Sequence, residues 1–182
     1  MAEDALTPEA RALGEADAAE LRGFTCSTGL WYEDEVQQFV RRQLIDRHGH
    51  RSPHSGHRVV GLELVGVGII AVGSHESDYA RHVGGTVLIT HLEVVAVRIE
   101  YQGVVLPTVD PLEAGRPVTL GRYLMEVLLS DIAGHLDRQP FLKTIVAREN
   151  AKSLALCDRI GLTRSSGVGD ARYEQRMGRM AS

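Results

Sequence analysis

Hydrophobic positions recur along this chain with two periods, one typical of strands and one typical of helices. Short runs rich in valine and isoleucine, or alternating with polar residues, predict strands at 59–64, 67–72, 86–97, 142–146, 162–164 and 171–177. The polar stretch 73–85 between two of these runs predicts a connection. Apolar residues three or four positions apart predict helices at 33–46, 121–136 and 150–160.

The order of these elements favours the α/β class, with a mixed sheet covered by helices. Residues 1–22 are rich in alanine and glutamate and predict a weakly ordered N-terminal extension, in which Thr7 and Pro8 favour a helix start. Residues 23–182 predict a single domain, since one domain accounts for a chain of this length.

Composition and charge exclude several classes of protein. The chain has 182 residues, with 20 lysines and arginines against 24 aspartates and glutamates, and its net charge of −4 argues against a general nucleic-acid binder. Cys26 and Cys157 lie far apart and form no zinc or disulfide pattern. The apolar stretch 65–73 is too short to cross a membrane, and the acidic N-terminus lacks an apolar signal core. We therefore expect a cytoplasmic protein.

A junction of strand, loop and helix is the first candidate site. The strand that ends at Val95-Ala96-Val97 leads through Tyr101-Gln102-Gly103 towards a helix that opens at Gly121. Backbone N–H groups meet at such a junction, and the helix dipole adds partial positive charge there. A phosphate or pyrophosphate can bind there without lysines. The alternative is that Gly103 and Gly121 are only turn and cap residues.

The helix predicted at 150–160 is the second candidate site. Asn150 and Cys157 are seven residues apart, so they share one helix face about 10 Å apart, with Ser153 between them. An extended ligand that carries amides can run along this face. The alternative is an N-cap asparagine and a small buried cysteine.

Together these segments resemble the GCN5-related N-acetyltransferases (GNAT). The family's pyrophosphate loop corresponds to Tyr101-Gln102-Gly103 and Leu120-Gly121-Arg122, and its later helix corresponds to Glu149-Asn150 through Gly161-Leu162. The resemblance covers residues 24–180. It implies a mixed, mostly antiparallel sheet flanked by helices, in which two neighbouring strands splay to admit the pantetheine arm of acetyl-CoA.

The resemblance also implies a role for each matching residue. Backbone groups of Val95 and Val97 would bond the pantetheine, Asn150 would bond its amide region, and position 157 would lie by the thioester sulfur. The Gln102-Gly103 turn and the amides from Leu120 to Tyr123 would hold the pyrophosphate. The complete cofactor-binding set is Val95, Ala96, Val97, Gln102, Gly103, Thr119, Leu120, Gly121, Arg122, Tyr123, Asn150 and Ser153.

Two features of the loop depart from the family pattern. Many more residues separate Gly103 from Gly121 than in the family, so we interpret 104–117 as an insertion: a lid, a partner contact or a loop in solvent. Thr119 stands where the family prefers glycine, and a β-branched residue disfavours positive φ. Either the turn is built differently, or cofactor binding is weaker, or the Thr119 hydroxyl donates to a phosphate.

The catalytic candidates come from the same resemblance. Cys157 replaces a tyrosine that protonates the departing CoA thiolate, and it is interpreted as an inert core residue, a weak acid or a nucleophile. Glu93 interrupts an apolar strand beside the cofactor segment, as a base acting through water or as a solvated or salt-bridged glutamate. Glu63 is a second base candidate, and Tyr173 is a candidate late acid.

Three functions follow as hypotheses. The first is transfer of acetyl from acetyl-CoA to a primary amine on a small molecule or peptide, by direct attack. The second is a non-catalytic acyl-CoA-binding or regulatory domain. The third is an interaction or metal-binding module that uses a histidine-rich loop, although no cysteine or carboxylate joins these histidines and we predict no metal. The loop histidines, which are also candidates for substrate contact, are His48, His50, His54 and His57.

The partners are less constrained than the cofactor. The segment from Phe24 to Trp31 resembles part of toxin-type acetyltransferases that modify aminoacyl-tRNA, but the net negative charge argues against a nucleic-acid partner. Because dimers are common among such relatives, a homodimer is compatible with the resemblance.

Overall fold

The computed structural model describes residues 7–42, 56–82, 84–109, 117–136, 139–165 and 171–180. Within these ranges the strands are β1 (Glu9–Ala12), β2 (Arg58–Leu64), β3 (Gly68–His82), β4 (Gly85–Val97), β5 (Val105–Val109), β6 (Pro117–Thr119), β7 (Phe141–Ala147), β8 (Thr163–Arg164) and β9 (Tyr173–Arg179). The helices are α1 (Ala18–Arg22), α2 (Trp31–Arg42), α3 (Leu120–His135) and α4 (Ala151–Arg159).

Seven of the strands form one mixed sheet in the order β1-β2-β3-β4-β7-β9-β8. β1 pairs antiparallel with β2, and β9 pairs antiparallel with both β7 and β8. Only one described ladder is parallel, that between β4 and β7. The predicted fold class, a mostly antiparallel sheet flanked by helices, is therefore confirmed.

The parallel ladder is short. It joins Ile89–His91 of β4 to Phe141–Lys143 of β7, three residue pairs in all. Among the described pairs of these two strands, none includes the next residues of β4, Leu92 and Glu93. Two strands can splay apart only where the hydrogen bonds between them stop, so the short ladder between β4 and β7 is compatible with the predicted splay.

The chain divides into two compact units, and the first contains two apolar clusters. Unit 1 comprises the described residues of Met1–His50, Val59–Gly73 and Val94–Leu128. One cluster collects residues from α1, α2 and the strands, including Leu21, Phe24 and Val40. The other packs the start of α3 against the sheet and includes Leu62, Ile70, Leu120 and Leu124.

The N-terminal segment differs from the predicted helix start at Thr7. Glu9–Ala12 forms a strand on β2, and the N–H of Leu13 donates to the carbonyl of Val59 at 2.8 Å. The side chains of Leu13 and Leu21 are buried. The edge of β2 offers backbone hydrogen-bond partners to residues 9–12. Local helix propensity does not include these partners, so the segment forms a strand instead of the predicted helix. The predicted boundary of the extension at residue 22 stays a prediction.

Unit 2 comprises the described residues of Arg51–Arg58, Ser74–Glu93 and Leu129–Ser182. Within it, β7 pairs with β9 over seven residue pairs. The turn after α4 packs on β9, because a Cβ built on Gly178 would lie 2.6 Å from the carbonyl oxygen of Gly161. Gly161 has φ +78°, as expected for the glycine that ends this helix.

The connection predicted at 73–85 is wrong, because β3 continues through His82. The polar residues of this segment misled the sequence analysis, yet three of them, Ser74, His75 and Ser77, are buried. The hydroxyls of Ser77 and Thr90 lie 2.8 Å apart, and Nε2 of His75 lies 2.9 Å from Asp131. Polar side chains that satisfy one another can occupy a buried strand.

The insertion begins and ends as a two-stranded ribbon. Val105 pairs with Thr119 and Leu106 with Val118, and both Leu106 and Val118 are buried. Residues 110–116, which form the middle of the predicted insertion, lie outside the described residues. The described ends of the insertion are thus strands, and the alternatives of a lid, a partner contact or a loop in solvent stay predictions for the rest.

Candidate functional site

The turn after β4 is held together by the side chain of Gln102. Its Nε2 donates to the carbonyls of Cys26 at 2.6 Å and Val97 at 3.3 Å. The N–H of Val104 donates to Tyr101 at 3.2 Å, which closes a turn in which Gly103 has φ +79°. An L side chain rarely adopts this conformation, so the turn requires glycine. The Gln102 side chain thus supports the turn from inside unit 1.

The start of α3 supplies the other side of this strand–turn–helix junction. The N–H of Leu120 donates to Val104 at 3.2 Å, so the Leu120 amide, predicted to bind pyrophosphate, is engaged within the protein. The amides of Gly121 and Arg122 follow in the first turn of α3, at its partially positive end, whereas the N–H of Tyr123 is the first positioned to donate within the helix, to the carbonyl of Thr119. A Cβ on Gly121 would lie 3.8 Å from Val97. The junction retains the backbone donors and dipole that suit a phosphate.

The conformation of Thr119 decides whether the turn before α3 is built as in the family. Thr119 lies in β6 and is exposed, and no described residue other than glycine has positive φ. The turn is therefore built differently from one with glycine at this position, and Thr119 carries no backbone strain there.

The last residues of β4 are divided between the clusters of unit 1. Ala96 is buried in the cluster with α1 and α2, whereas Val95 and Val97 pack against the cluster that contains the start of α3. The Val97 carbonyl accepts the Gln102 bond. The strand thus leads directly into the turn, as the motif predicts.

Asn150 caps α4. Its Oδ1 accepts a hydrogen bond from the N–H of Ser153 at 3.0 Å, the N-cap geometry that was the simpler interpretation of this residue. This bond uses the side-chain oxygen of Asn150. Binding of a ligand by its Nδ2 group stays a prediction. Arg148 supports the adjoining segment by donating from Nε to the Tyr173 carbonyl at 3.1 Å.

Burial makes Cys157 a poor nucleophile. The residue is only 4 % exposed, and burial is the main cause that raises the pKa of its thiol to about 11, although the charge of Arg176 acts in the opposite direction. The thiol therefore keeps its proton near neutral pH, and attack requires the thiolate. The interpretations as a core residue or a proton donor agree with this environment. Cys26 is similar, with its pKa raised to about 11 mainly by burial.

Glu93 lies in a small polar cluster of unit 2. Its Oε2 is 2.6 Å from Nε2 of His57 and accepts a hydrogen bond from the Ser74 hydroxyl at 3.1 Å. The Glu93 side chain is 13 % exposed and that of His57 is 4 % exposed. Glu93 is thus a mostly buried carboxylate in contact with His57 and Ser74, and not a solvated surface glutamate. His57, predicted to lie in a polar loop, is part of this cluster.

A second polar cluster of unit 2 was not predicted from the sequence. Asp131 of α3 makes a paired contact with Arg58, at 2.7 Å from Nε and 2.9 Å from Nη2, and lies 2.9 Å from Nε2 of His75. Burial alone would raise the pKa of Asp131, but the hydrogen bonds from Arg58 and His75 outweigh it and lower the pKa. Burial lowers the pKa of His75. No local pattern in the sequence points to this cluster, because Arg58, His75 and Asp131 lie in separate segments of the chain.

The remaining catalytic candidates have different surroundings. Glu63 pairs with Arg11, which also binds Asp17, so this carboxylate is part of an ion-pair network. Tyr173 begins β9 opposite Ala147 in the β7 ladder, with the guanidinium of Arg172 at 5.6 Å from its ring centre. Neither contact tests a catalytic role.

Two further findings concern metals and membranes. Within the described ranges, no group of three or more His, Cys, Asp or Glu side chains is arranged to hold a metal ion. Of the loop histidines, His48, His50 and His54 lie outside those ranges. No described helix has the length and hydropathy needed to span a membrane.

Solved structures with the same fold are acetyltransferases in several cases. A putative GNAT-family acetyltransferase from Desulfovibrio desulfuricans is 18 % identical, covers 96 % of this chain and 100 % of its own, and has a TM-score of 0.61. The spermidine/spermine N-acetyltransferase SpeG from Vibrio cholerae, in mutant forms, is 14 % identical over 94 % of this chain and 93 % of its own, with a TM-score of 0.54. A KacTA–DNA complex is 13 % identical over 95 % and 93 %, with a TM-score of 0.57.

These similarities define the fold of the protein. The chain has the GNAT fold, as the two sequence motifs predict. No protein-family model matches the chain. No curated protein matches it in sequence.

Proposed function

We propose that this chain is an acyl-CoA-dependent N-acyltransferase that moves an acetyl group from acetyl-CoA to a primary amine. The observation that carries the proposal is the strand–turn–helix junction of unit 1. Gln102 holds its turn, Gly103 adopts φ +79°, and α3 begins directly after the ribbon. A junction of this form on a GNAT fold suits the pyrophosphate of CoA.

The residues of the junction have separate parts in this proposal. The amides of Gly121 and Arg122 bind the pyrophosphate, while Gln102 and Gly103 shape the turn. The Tyr123 amide, which is positioned to bond within α3, has no part in this binding. Because the Leu120 amide already donates to Val104, it has no part in this binding. The Thr119 hydroxyl is exposed and can donate to a phosphate oxygen.

Roles for the remaining cofactor residues rest on the family motif. Backbone groups at Val95 and Val97, together with Asn150 and Ser153, bind the pantetheine arm. Asn150 retains its amide Nδ2 as a possible donor, since the N-cap bond engages only Oδ1.

The chemistry needs a base and an acid. Acetyl-CoA supplies the activated acyl group, whose thioester carbonyl carbon is attacked by the amine nitrogen. Glu93 accepts the amine proton, through water, as the new C–N bond forms and the C–S bond breaks. A proton donor then neutralises the CoA thiolate, and Tyr173 and the protonated thiol of Cys157 are the candidates.

The acceptor in this proposal is a small molecule or a peptide amine. A spermidine/spermine N-acetyltransferase and a NatC complex bound to a peptide and CoA share the fold, which supports both classes without choosing between them. Two buried free cysteines agree with a reducing, cytoplasmic setting.

Ligand-dependent thermal unfolding tests cofactor binding. A ligand at 100 times its Kd stabilises a protein by about 2.7 kcal/mol, which raises Tm by about 5–10 °C in a domain of this size. We expect such a shift with acetyl-CoA and free CoA for the wild-type chain. Absence of a shift at millimolar acetyl-CoA would contradict the proposal.

A pair of glycine variants locates the binding. In Gly121→Ala the new Cβ makes an ordinary 3.8 Å contact with Val97, so the variant folds, but the methyl group approaches the phosphate site and reduces the shift. Gly134→Ala, in the same helix and with open space around the Cβ, is the matched control and keeps the full shift. Equal shifts in both variants would place the pyrophosphate elsewhere.

The second candidate function is a non-catalytic acyl-CoA-binding or regulatory domain. Thr119, Cys157 and the insertion all depart from the family pattern and favour it, and a KacTA–DNA complex shares the fold. This function predicts the same thermal shift with no release of CoA in the presence of amines.

A further inference from the structure

His57 lies next to the residue proposed as the catalytic base. Its Nε2 is 2.6 Å from Oε2 of Glu93, close enough for a short hydrogen bond to a carboxylate. Both side chains are largely removed from water, where such a bond is stronger than at the surface. No pattern in the sequence joins these two residues, which are 36 positions apart.

A second donor reaches the same oxygen from another strand. The hydroxyl of Ser74, a fully buried residue of β3, donates to Oε2 of Glu93 at 3.1 Å. Two donors from separate segments restrict the rotation of a glutamate side chain, which otherwise has one of the larger rotamer entropies. The carboxylate is thereby held in one orientation before any substrate binds.

The residues on both sides of His57 also make hydrogen bonds within unit 2. The N–H of Gly56 donates to the Ser77 carbonyl at 3.4 Å. On the other side, the guanidinium of Arg58 makes its paired contact with Asp131. The position of the imidazole is therefore set by the fold, which is the property a supporting residue needs.

We propose that His57 is a positioning residue for Glu93: its Nε2–H donates to Oε2 and, with Ser74, orients the carboxylate to take the proton of the acceptor amine. The proposal rests on the proposed acetyl transfer, in which Glu93 is the base. The effect on rate is geometric, since an error of about 1 Å in the position of a catalytic group can cost about 100-fold.

Two substitutions separate positioning from proton transfer. His57→Gln keeps an N–H donor at similar reach, whereas His57→Leu keeps the approximate volume and removes the donor. We expect His57→Leu to lower kcat by about 10–100-fold with an unchanged KM for acetyl-CoA, and His57→Gln to recover most of the loss. An unchanged kcat in His57→Leu would overturn the proposal. So would a His57→Gln variant as slow as His57→Leu, since the ring would then transfer protons rather than position Glu93.

Stability and NMR measurements complete the test. Thermal unfolding of both variants, with and without acetyl-CoA, identifies a loss of activity that comes from misfolding. The ¹⁵N signals of the His57 ring report directly whether Nε2 carries the proton and whether the bond is lost in Glu93→Ala, without substrate or turnover. An unprotonated Nε2 in the wild-type chain would refute the proposal even if no amine is acetylated, whereas lack of turnover with an intact Nε2–H bond would refute only the proposed function.

Discussion

At the scale of single residues, burial determines what the two cysteines can do. Cys26 and Cys157 are both buried, and burial is the main cause that raises each thiol pKa to about 11. At pH 7 about one molecule in 10⁴ would carry the thiolate at either position. Since the thiolate is the reactive species, the sulfur chemistry of the folded chain is slow.

Alkylation measures this directly. We expect neither Cys26 nor Cys157 to react appreciably with iodoacetamide in the native chain at neutral pH, and both to react once urea unfolds it. Intact-mass measurement over time gives the two rates. Rapid labelling of Cys157 in the folded protein would restore the interpretation as a nucleophile.

The residue scale also shows where sequence reasoning reached its limit. Glu93 could be singled out because an acid interrupts an apolar strand, and the structure gives it a mostly buried environment. His57 could not be joined to it, because nothing in a polar, histidine-rich segment indicates which histidine lies beside a strand 36 residues later. The hydrogen bond from Gln102 to the carbonyl of Cys26 likewise joins residues far apart in the chain, and no local pattern predicts it.

At the scale of elements, Asp131 connects α3 to β2 and β3. The carboxylate accepts from Arg58 of β2 and contacts His75 of β3, and His75 is only 1 % exposed. Among the described residues, none hydrogen-bonds to Nδ1 of His75. A proton added there would be buried without an acceptor, which agrees with the direction in which burial shifts the pKa of His75.

This cluster predicts a loss of stability in mild acid. The pKa of His75 is lower in the folded chain than the ordinary value of about 6.5, so the unfolded chain binds more protons below that pH. The stability from the neutral ring is present above about pH 6.5 and is lost as pH falls towards the folded pKa, at up to about 1.4 kcal/mol per pH unit.

Urea unfolding at about pH 7.5 and pH 5.5 measures the effect. His75→Gln keeps a donor to Asp131 but cannot titrate, so we expect it to lose less stability between the two pH values than the wild-type chain does. Asp131, Arg58 and His135 carry the charges that face the ring, and all three remain in the variant. Equal losses in both proteins would show that His75 does not titrate differently on folding.

The contact between β9 and the turn after α4 gives another prediction for elements. In Gly178→Ala the new Cβ would lie 2.6 Å from the Gly161 carbonyl oxygen, a backbone atom that can move only with the turn. We expect destabilisation by about 1–3 kcal/mol in chemical unfolding. Gly134→Ala, which has open space in α3, should instead stabilise the chain by up to about 1 kcal/mol. Destabilisation by both substitutions would contradict this account of the contact.

Most elements were accessible from the sequence, and the exceptions have physical causes. The predictions for the strand at 86–97 and the helix at 150–160 agree closely with β4 and α4, because strong periodicity and clear caps define both. The second half of β3 was missed, because its polar residues are satisfied by tertiary partners such as Thr90 and Asp131. β1 was missed, because it forms only on the edge that β2 provides.

At the scale of the whole molecule, two motifs in the right order were enough to predict the fold. Solved structures as little as 8 % identical to this chain share its fold, so overall similarity in sequence carries little of the signal. Both motifs correspond to local geometry that the structure contains, a turn with positive φ at Gly103 and a helix capped by Asn150. The acceptor was not predictable, since acceptor-binding loops carry no comparable constraint.

The measurement that tests the account most directly is acetyl transfer itself. The chain is incubated with acetyl-CoA and a panel of primary amines that includes polyamines and peptides, and both CoA release and acetylated amine are measured, for wild type and Glu93→Gln. The account predicts acetylation of at least one amine by the wild-type chain, and a rate about 10²–10⁴-fold lower in Glu93→Gln with acetyl-CoA binding intact. Full thermal stabilisation by acetyl-CoA without any acetylated amine, or an unchanged rate in Glu93→Gln, would contradict it.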